Sequence, residues 1–266
     1  MAEYKYECAK VRIHDGIAWL TMNRPGKRNA MSPQLHYDMD DALARLEVDD
    51  NVKVVVVGGE GGNFSAGQDL QKFFRELERN PGERKKAAAA ANRWRWERLY
   101  NYDKPTIAMI QGYCIGGGLS VALCCDLRLA AENASFAVPA AKLGLGYAYD
   151  GIKRLVDVVG PSFAKEIFYT ARQFDSTEAL QMRLVNRVVP TLNIENYVRD
   201  YAGTIGSNAP LTINSVKLSV NEATKDPDKR NLITAQAAVD ACFASEDYVE
   251  GRVAFIEKRK PAFRGR

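Results

Sequence analysis

Two glycine-rich loops, each placed between an apolar strand and a helix, constrain this chain more than any other feature. Residues 65–70 (SAGQDL) follow the apolar run 54–57, and residues 112–118 (GYCIGGG) follow the run 106–110. This repetition of strand, loop and helix predicts an α/β fold with parallel strands. Each loop alone is compatible with an ordinary strand-to-helix turn. Together, the two loops could direct two backbone N–H donors at one oxygen.

Size and composition indicate one large domain, or a domain with an appendage. The 266 residues are 46% hydrophobic, but no apolar run reaches the ~18 residues of a membrane-spanning helix. The N-terminus lacks the apolar core of a secretory signal, so we expect a cytoplasmic protein with no membrane association. Five cysteines without C-x-x-C spacing and only two histidines do not favour a disulfide framework, a metal site or a Ser-His-Asp triad. The net charge of +4 suits an anionic ligand.

Local patterns divide the chain into a mixed region, residues 1–190, and a helical region, residues 191–266. In the mixed region, alternating residues around Asp15 and Gly16 predict a β-hairpin, and Ser32-Pro33 predicts the start of a helix that reaches Leu46. The helical region contains amphipathic segments whose apolar faces need covering, which indicates oligomerisation. These segments are 194–205, 210–223, 231–243 and 246–258.

Two further helices are predicted in the mixed region. One covers residues 71–78, directly after the first glycine-rich loop, and the other covers residues 84–100 (RKKAAAAANRWRWERLY). The second helix combines basic residues with two tryptophans, a combination that can bind nucleic acid. A solvated basic face with some apolar packing is the simpler interpretation at this modest net charge. We expect no nucleic-acid partner.

The order of the motifs resembles that of the crotonase (enoyl-CoA hydratase/isomerase) superfamily over nearly the whole chain. The resemblance implies a right-handed spiral of ββα repeats and a C-terminal helical region that forms trimers or dimers of trimers. It also implies an acyl-CoA thioester as substrate, with coenzyme A as part of that substrate and no separate cofactor. The similar segments are 17–31, 64–70, 104–118, 122–126, 143–145 and 255–263.

The same resemblance implies where the thioester would bind. The backbone N–H groups of Gln68 and Gly117 would form an oxyanion hole, and Lys27 and Arg28 would supply positive charge to the coenzyme. Plain surface charge is the alternative for these cations and for Lys260. The implied binding residues are Lys27, Arg28, Ala30, Ala66, Asp69, Leu70, Tyr113, Gly116, Ser120, Ala140, Lys260 and Phe263.

The chain departs from the family where the hydratases place their two glutamates. Ser120 and Ala140 occupy these positions, and neither can act as a general base at neutral pH without an activator. The best remaining acid/base candidate is Asp150, with Tyr147 as a group that could bind the acyl chain or relay a proton. Alternatively, Asp150 pairs with Lys153 or Arg154 at a helix start, where acidic residues are favoured.

The first half also resembles the 4-hydroxycinnamoyl-CoA hydratase-lyases in residues 27–33, 66–76 and 94–109. Those enzymes use a glutamate where this chain has Ala140, so the resemblance does not imply their activity. It does indicate a bulky aromatic acyl group. Core packing would explain most of the aromatic residues equally well. The candidates for an aromatic pocket are Trp94, Trp96, Phe73, Phe74 and Tyr113.

Three functions follow from these observations. The first is an acyl-CoA enzyme with a single acid/base, for which migration or hydration of a double bond ranks above thioester hydrolysis. The second is an acyl-CoA binder that has lost its catalytic acids. The third is an RNA-binding member of the superfamily, which only the basic helix supports.

Overall fold

A computed structural model describes residues 2–73 and 79–266. The helix predicted for 71–78, with Phe74, therefore lies largely outside the described residues. The strands are β1 Ala2–Lys5, β2 Ala9–His14, β3 Ile17–Met22, β4 Val54–Gly59, β5 Thr106–Ile110, β6 Tyr113–Ile115, β7 Leu127–Ala131, β8 Ser135–Ala137, β9 Phe174–Asp175 and β10 Arg187–Val189. The α-helices are α1 Pro33–Glu47, α2 Pro81–Asn92, α3 Gly117–Cys124, α4 Tyr149–Thr170, α5 Ser176–Gln181, α6 Ile194–Gly206, α7 Pro210–Ala223, α8 Leu232–Ala244 and α9 Glu246–Glu257.

The strands form two sheets. The larger sheet has the order β1-β2-β3-β4-β5-β7-β10, and the smaller has the order β6-β8-β9. Strands β3, β4, β5, β7 and β10 run parallel, as predicted. The chain places β5 in the large sheet and β6 in the small one before α3, then repeats this with β7 and β8. Two strands per turn thus alternate between the sheets, and a helix begins where the second glycine-rich loop ends.

The hairpin and the helix start predicted in the first 50 residues are both present. The hairpin turns at Asp15 and Gly16, both with positive φ, and pairs β2 with β3 antiparallel. The Ser32 hydroxyl accepts a hydrogen bond from Leu35 N at 3.2 Å and caps α1, with Pro33 as its first residue. Both features are therefore confirmed.

Strand β4 shows how the core is divided by the large sheet. Val55 and Val57 point into the main core between the sheet and α1, where they join Leu20 and Met39. Their neighbours Val54 and Val56 face the other side, where α6 covers them, as side chains alternate along a strand. Because α6 packs on the sheet, the sheet layer extends to residue 206, and the predicted division at residue 190 stays a prediction.

Helix α2 continues into a π-helical turn, Arg93–Leu99. Two of its bases pair with acidic residues of α1, Arg93 with Asp40 and Arg98 with Glu47. The basic face of this segment therefore attaches α2 and the π-helical turn to α1.

The last three helices carry large apolar side chains on their surfaces. Helices α7 and α8 pack together, and α8 contacts α9. No helix among residues 2–73 and 79–266 is long and apolar enough to cross a membrane. The most exposed large side chains here are Leu232, Ile233, Phe243, Phe255 and Ile256.

Candidate active site

Two loops that are distant in sequence pair side by side. Ala66 N donates to Arg28 O at 2.9 Å, Met31 N donates to Gly67 O at 2.8 Å, and Asp69 N donates to Met31 O at 3.0 Å. This ladder brings together the predicted binding residues Arg28, Ala30, Ala66 and Asp69. We refer to residues 24–31 and 65–69 together as the paired loops.

Asn29, which sequence reasoning missed, holds the paired loops in place. It is fully buried and has a φ of 54°. Its side chain accepts from Arg24 N at 2.8 Å and donates to Glu60 O at 2.9 Å and to Asn63 O at 2.7 Å. Asparagine tolerates the left-handed region better than most residues, which is the one signal in the sequence that could have indicated this role.

Charged groups line the outer side of the paired loops. Asp69 forms an ion pair with Arg24 at 3.0 Å, so its charge is neutralised. The Arg28 guanidinium lies 4.9 Å from the centre of the Tyr113 ring. Lys27 and Leu70 are exposed. These positions agree with a cationic, accessible wall, and the assignment of the wall to coenzyme A stays a prediction.

Two backbone N–H groups meet where the paired loops approach α3. A Cβ built on Gly117 would lie 3.5 Å from Gln68 N, and one built on Gly67 would lie 3.2 Å from Gly117 N. Within the described part of the chain, neither Gln68 N nor Gly117 N donates a hydrogen bond to a protein acceptor. The pair of donors therefore lies side by side and open at the N-terminus of a helix, where a partial positive charge adds to them.

Glycine is required for this approach. Gly67 has a φ of 91°, and a Cβ on it would be 2.6 Å from Ile115 O. Gly116 has a φ of 53° and donates its N–H to Ala137 O at 2.8 Å, which connects α3 to β8. A side chain at Gly67 would separate the two loops, whereas one at Gly116 would strain the backbone, since its φ is positive.

The first turn of α3 also positions Ser120. This buried residue lies 2.8 Å, Oγ to OH, from Tyr147, whose ring packs edge-on against Phe168. Ala140 is buried in the short helical turn Pro139–Leu143, and its carbonyl accepts from Leu145 N at 3.0 Å. Where the family's hydratases have glutamates, this chain thus has the Ser120 hydroxyl, paired with that of Tyr147, and the methyl group of Ala140.

Asp150 lies in the first turn of α4 and is exposed. It forms neither of the ion pairs considered from the sequence, because Lys153 pairs with Asp157 at 2.9 Å and Arg154 stacks on Tyr100. A role in proton transfer stays a prediction for Asp150.

A family model described as enoyl-CoA hydratase/isomerase matches residues 12–266. The chain belongs to the enoyl-CoA hydratase/isomerase family. It is 36% identical to a hydroxycinnamoyl-CoA hydratase-lyase from Pseudomonas fluorescens over 81% of this chain and 78% of that protein. It is 34% identical to a short-chain-enoyl-CoA hydratase from Clostridium acetobutylicum over 92% of each chain.

The fold of this family is also confirmed by solved structures. An enoyl-CoA hydratase/carnithine racemase from Magnetospirillum magneticum matches with a TM-score of 0.90 and 31% identity, over 99% of this chain and 97% of that one. The predicted membership of the superfamily and the predicted fold class are therefore both confirmed.

Beside the open N–H groups of this enoyl-CoA hydratase/isomerase family member lies a cation that sequence reasoning missed. Arg95 Nη1 would be 3.8 Å from a Cβ on Gly117. Burial lowers the pKa of this guanidinium from its ordinary value. The regular helix predicted for 84–100 gave no signal of this position, because the π-helical turn changes where its side chains point.

The tryptophans on either side of Arg95 have different surroundings. Trp94 is fully buried and donates to His36 Nδ1 at 2.9 Å, so it belongs to the core and does not line an acyl pocket. Trp96 lies 4.9 Å from the Arg154 guanidinium. Phe74, also predicted for an aromatic pocket, is outside the described residues.

The C-terminal tail is held by α9. Ala262 N donates to Glu250 at 2.8 Å, and Arg264 N donates to Asp247 at 2.7 Å. Phe263 packs against Gly251, whose built Cβ would be 3.5 Å from the ring. The contacts of Lys260 and Phe263 with a coenzyme therefore stay predictions.

Proposed function

We propose that this protein transforms an acyl-CoA thioester through an enolate whose oxygen is bound by the N–H groups of Gln68 and Gly117. The observation that carries the proposal is the pair of adjacent, open N–H groups at the start of α3. Removal of an α-proton, or addition at Cβ, moves negative charge onto the thioester oxygen. Fixed donors stabilise that charge, and losing one typically costs about 3–4 kcal/mol.

The paired loops support coenzyme A as the carrier of the acyl group. Lys27 and Arg28 present positive charge at the accessible side of the loops, which suits the phosphates of the coenzyme. The backbone near Ala30 and Ala66 lies beside the open donors, where a thioester would have to end. The names of the relatives, hydratases of enoyl-CoA thioesters among them, support the same substrate class.

For the proton transfer we propose Asp150 as acid/base, assisted by Tyr147. Asp150 is a carboxylate three residues after Tyr147, and the Tyr147 hydroxyl already contacts Ser120 in the first turn of α3. A single carboxylate can move a proton from one carbon to another or orient a water molecule. Double-bond migration or hydration of an enoyl-CoA is therefore the reaction that we favour.

A non-catalytic acyl-CoA binder is the second candidate. It is favoured by the residues at Ser120 and Ala140, because neither provides the carboxylate that a two-glutamate hydration requires. Such a protein would retain the donors and the paired loops, and would bind thioesters without turning them over.

We further propose that the protein assembles as a trimer or a dimer of trimers through α7, α8 and α9. The large exposed apolar side chains of these helices, Phe243 and Phe255 among them, support this assembly. Light scattering of the purified protein measures the mass. A monomer at micromolar concentration would contradict the assembly.

The reaction is tested by incubating the purified protein with saturated, enoyl and aromatic-enoyl thioesters in heavy water, followed by mass analysis. Addition of water identifies a hydratase, and deuterium uptake without water addition identifies enolate chemistry and an isomerase. Release of free coenzyme A identifies a hydrolase. Binding without any change would support the non-catalytic binder and contradict an enzymatic function.

A further inference from the structure

The guanidinium of Arg95 is the least explained charge near the open N–H groups. Its Nε–H donates to Ala91 O at 2.8 Å. Its two terminal amino groups find no acceptor among residues 2–73 and 79–266, although Nη1 lies 3.8 Å from the Cβ position of Gly117. An amino group without a described acceptor therefore lies beside the glycine that provides one of the open N–H donors.

The Trp96 ring lies 5.6 Å from the Arg95 guanidinium, but no neighbour among the described residues carries a compensating negative charge. Burial is the main cause that lowers the pKa of His36 to about 3, and burial raises the pKa of Cys124 to about 12, so both side chains are neutral at neutral pH. Ser120 and Tyr147 are hydroxyl groups. In the described part of the chain, no carboxylate forms an ion pair with Arg95.

A second arginine, Arg154, lies near Arg95, because the Trp96 ring is 4.9 Å from the Arg154 guanidinium and 5.6 Å from that of Arg95. Arg154 stacks over Tyr100, with its guanidinium carbon 3.2 Å from the ring centre, and also acts on the thiol of Cys124. Its Nε and Nη1 are buried, and no described residue accepts a hydrogen bond from them. A buried cation without an anionic partner is costly, so the unpaired amino groups of Arg95 favour an anionic ligand.

We propose that Arg95 binds a carboxylate carried by the acyl group, which makes the substrate a thioester of a short dicarboxylic acid. This inference rests on the proposed function, because the thioester must be held by Gln68 N and Gly117 N for its acyl group to reach Arg95. A guanidinium recognises a carboxylate through two parallel hydrogen bonds, which a terminal methyl group cannot accept.

The distance between the groups limits the length of the acyl chain. Nη1 lies beside the same glycine that supplies one of the oxyanion donors. The carbon chain between the thioester carbonyl and the bound carboxylate must therefore be short. A long fatty acyl chain has no group that Arg95 could bind at this depth.

Two unreactive coenzyme A thioethers test the inference by titration calorimetry. They are S-(2-oxopentyl)-CoA and S-(4-carboxy-2-oxobutyl)-CoA, which both keep a carbonyl oxygen for Gln68 N and Gly117 N and differ only in a terminal methyl or carboxylate. We expect the wild type to bind the carboxylate probe about tenfold tighter or more, and Arg95→Met to reduce the preference to about twofold or less. Arg95→Lys keeps the charge without the planar fork and should keep part of the preference.

Arg93→Met is the matched control, since Arg93 is exposed and pairs with Asp40 on the other side of the helix. It should leave the preference unchanged. Equal affinity of the two probes for the wild type, or a preference that survives Arg95→Met, would overturn the inference. The wild-type comparison decides the question even if Arg95→Met does not fold.

The binding of acyl-CoA and the role of Arg95 can be contradicted separately. If both probes bind equally well, the acyl-CoA function stands and only the role of Arg95 falls. If neither probe binds, and free coenzyme A does not bind either, the proposed function falls and the inference falls with it.

Discussion

The paired loops and the segment from Ala140 to Asp150 both approach α3, the segment through the Tyr147–Ser120 hydrogen bond, but they are held very differently. In the paired loops, Ser65 Oγ donates to Asn29 O at 2.8 Å and Ser65 N donates to Tyr113 O at 2.8 Å, and both groups are buried. Residues 141–150 are exposed except for Tyr147. The paired loops, which would hold the thioester, are thus fixed by buried hydrogen bonds. The segment that carries the acid/base candidates is exposed and less constrained by the core.

Gly117→Ala should have the largest effect on activity. The new Cβ would lie 2.5 Å from Met31 Cε and 3.5 Å from Gln68 N, where the thioester oxygen is expected. Blocking the donors should lower kcat/KM by about 10²-fold or more. Gly203→Ala is the control, because a Cβ there meets nothing within 4 Å. Equal activity of the two variants would show that the reaction does not take place at the N–H groups of Gln68 and Gly117.

Asp150→Asn tests whether the exposed segment supplies the base. Loss of a general base should lower kcat by about 10²-fold, while the affinity for a thioether analogue stays the same. Asp157→Asn serves as the control, since Asp157 lies on the same helix and pairs with Lys153. Unchanged turnover in Asp150→Asn would contradict a role for Asp150 as the base.

Asn29→Ala should destabilise the paired loops. The change removes three hydrogen bonds of a buried side chain. It also places at a φ of 54° an alanine, which adopts the left-handed region less readily than asparagine. We expect a loss of about 2–4 kcal/mol in the free energy of unfolding, measured by denaturant titration. Asn101→Ala, at an exposed asparagine, should change it by less than about 1 kcal/mol. Similar losses in both would show that the loops do not depend on Asn29.

The pH dependence of stability gives the smallest expected effect. Burial is the main cause that holds the pKa of His36 at about 3 in the folded protein, below its ordinary 6.5. Because the unfolded chain binds this proton more readily, stability should be complete above about pH 6.5 and fall as the pH decreases. By pH 5 the loss should be about 2 kcal/mol. In His36→Phe, the free energy of unfolding should lose the part of its decrease between pH 6.5 and pH 5 that His36 causes. An unchanged decrease would contradict a buried neutral His36.

Features set by neighbouring residues were predictable from the sequence. Asp15-Gly16 fixes the hairpin and Ser32-Pro33 starts α1, because each depends on backbone preferences within a few residues. The resemblance of the loops to a known family placed Gln68 and Gly117 at one point. The two N–H groups lie near each other in the structure, and their role as an oxyanion hole stays a prediction.

Other features depend on contacts that no local pattern encodes. Asn29 is essential to the loops only because Glu60 and Asn63 come within hydrogen-bond distance of its side chain. Arg95 and Trp94 are neighbours in sequence, yet one faces the site and the other the core. Helical periodicity could not separate them, because the regular α-helix that it assumes is replaced by a π-helical turn.

That π-helical turn also has a consequence for how the family could diversify. A π-helical turn takes in about one residue more than an α-helical turn, and each residue of an α-helix adds about 100° of rotation. Insertion or deletion of one residue here would therefore direct a different side chain at the acyl group. The hydrogen bonds that hold the paired loops together are made outside this helix. Substrate choice could thus change by a shift in length within one helix, with the oxygen-binding backbone preserved.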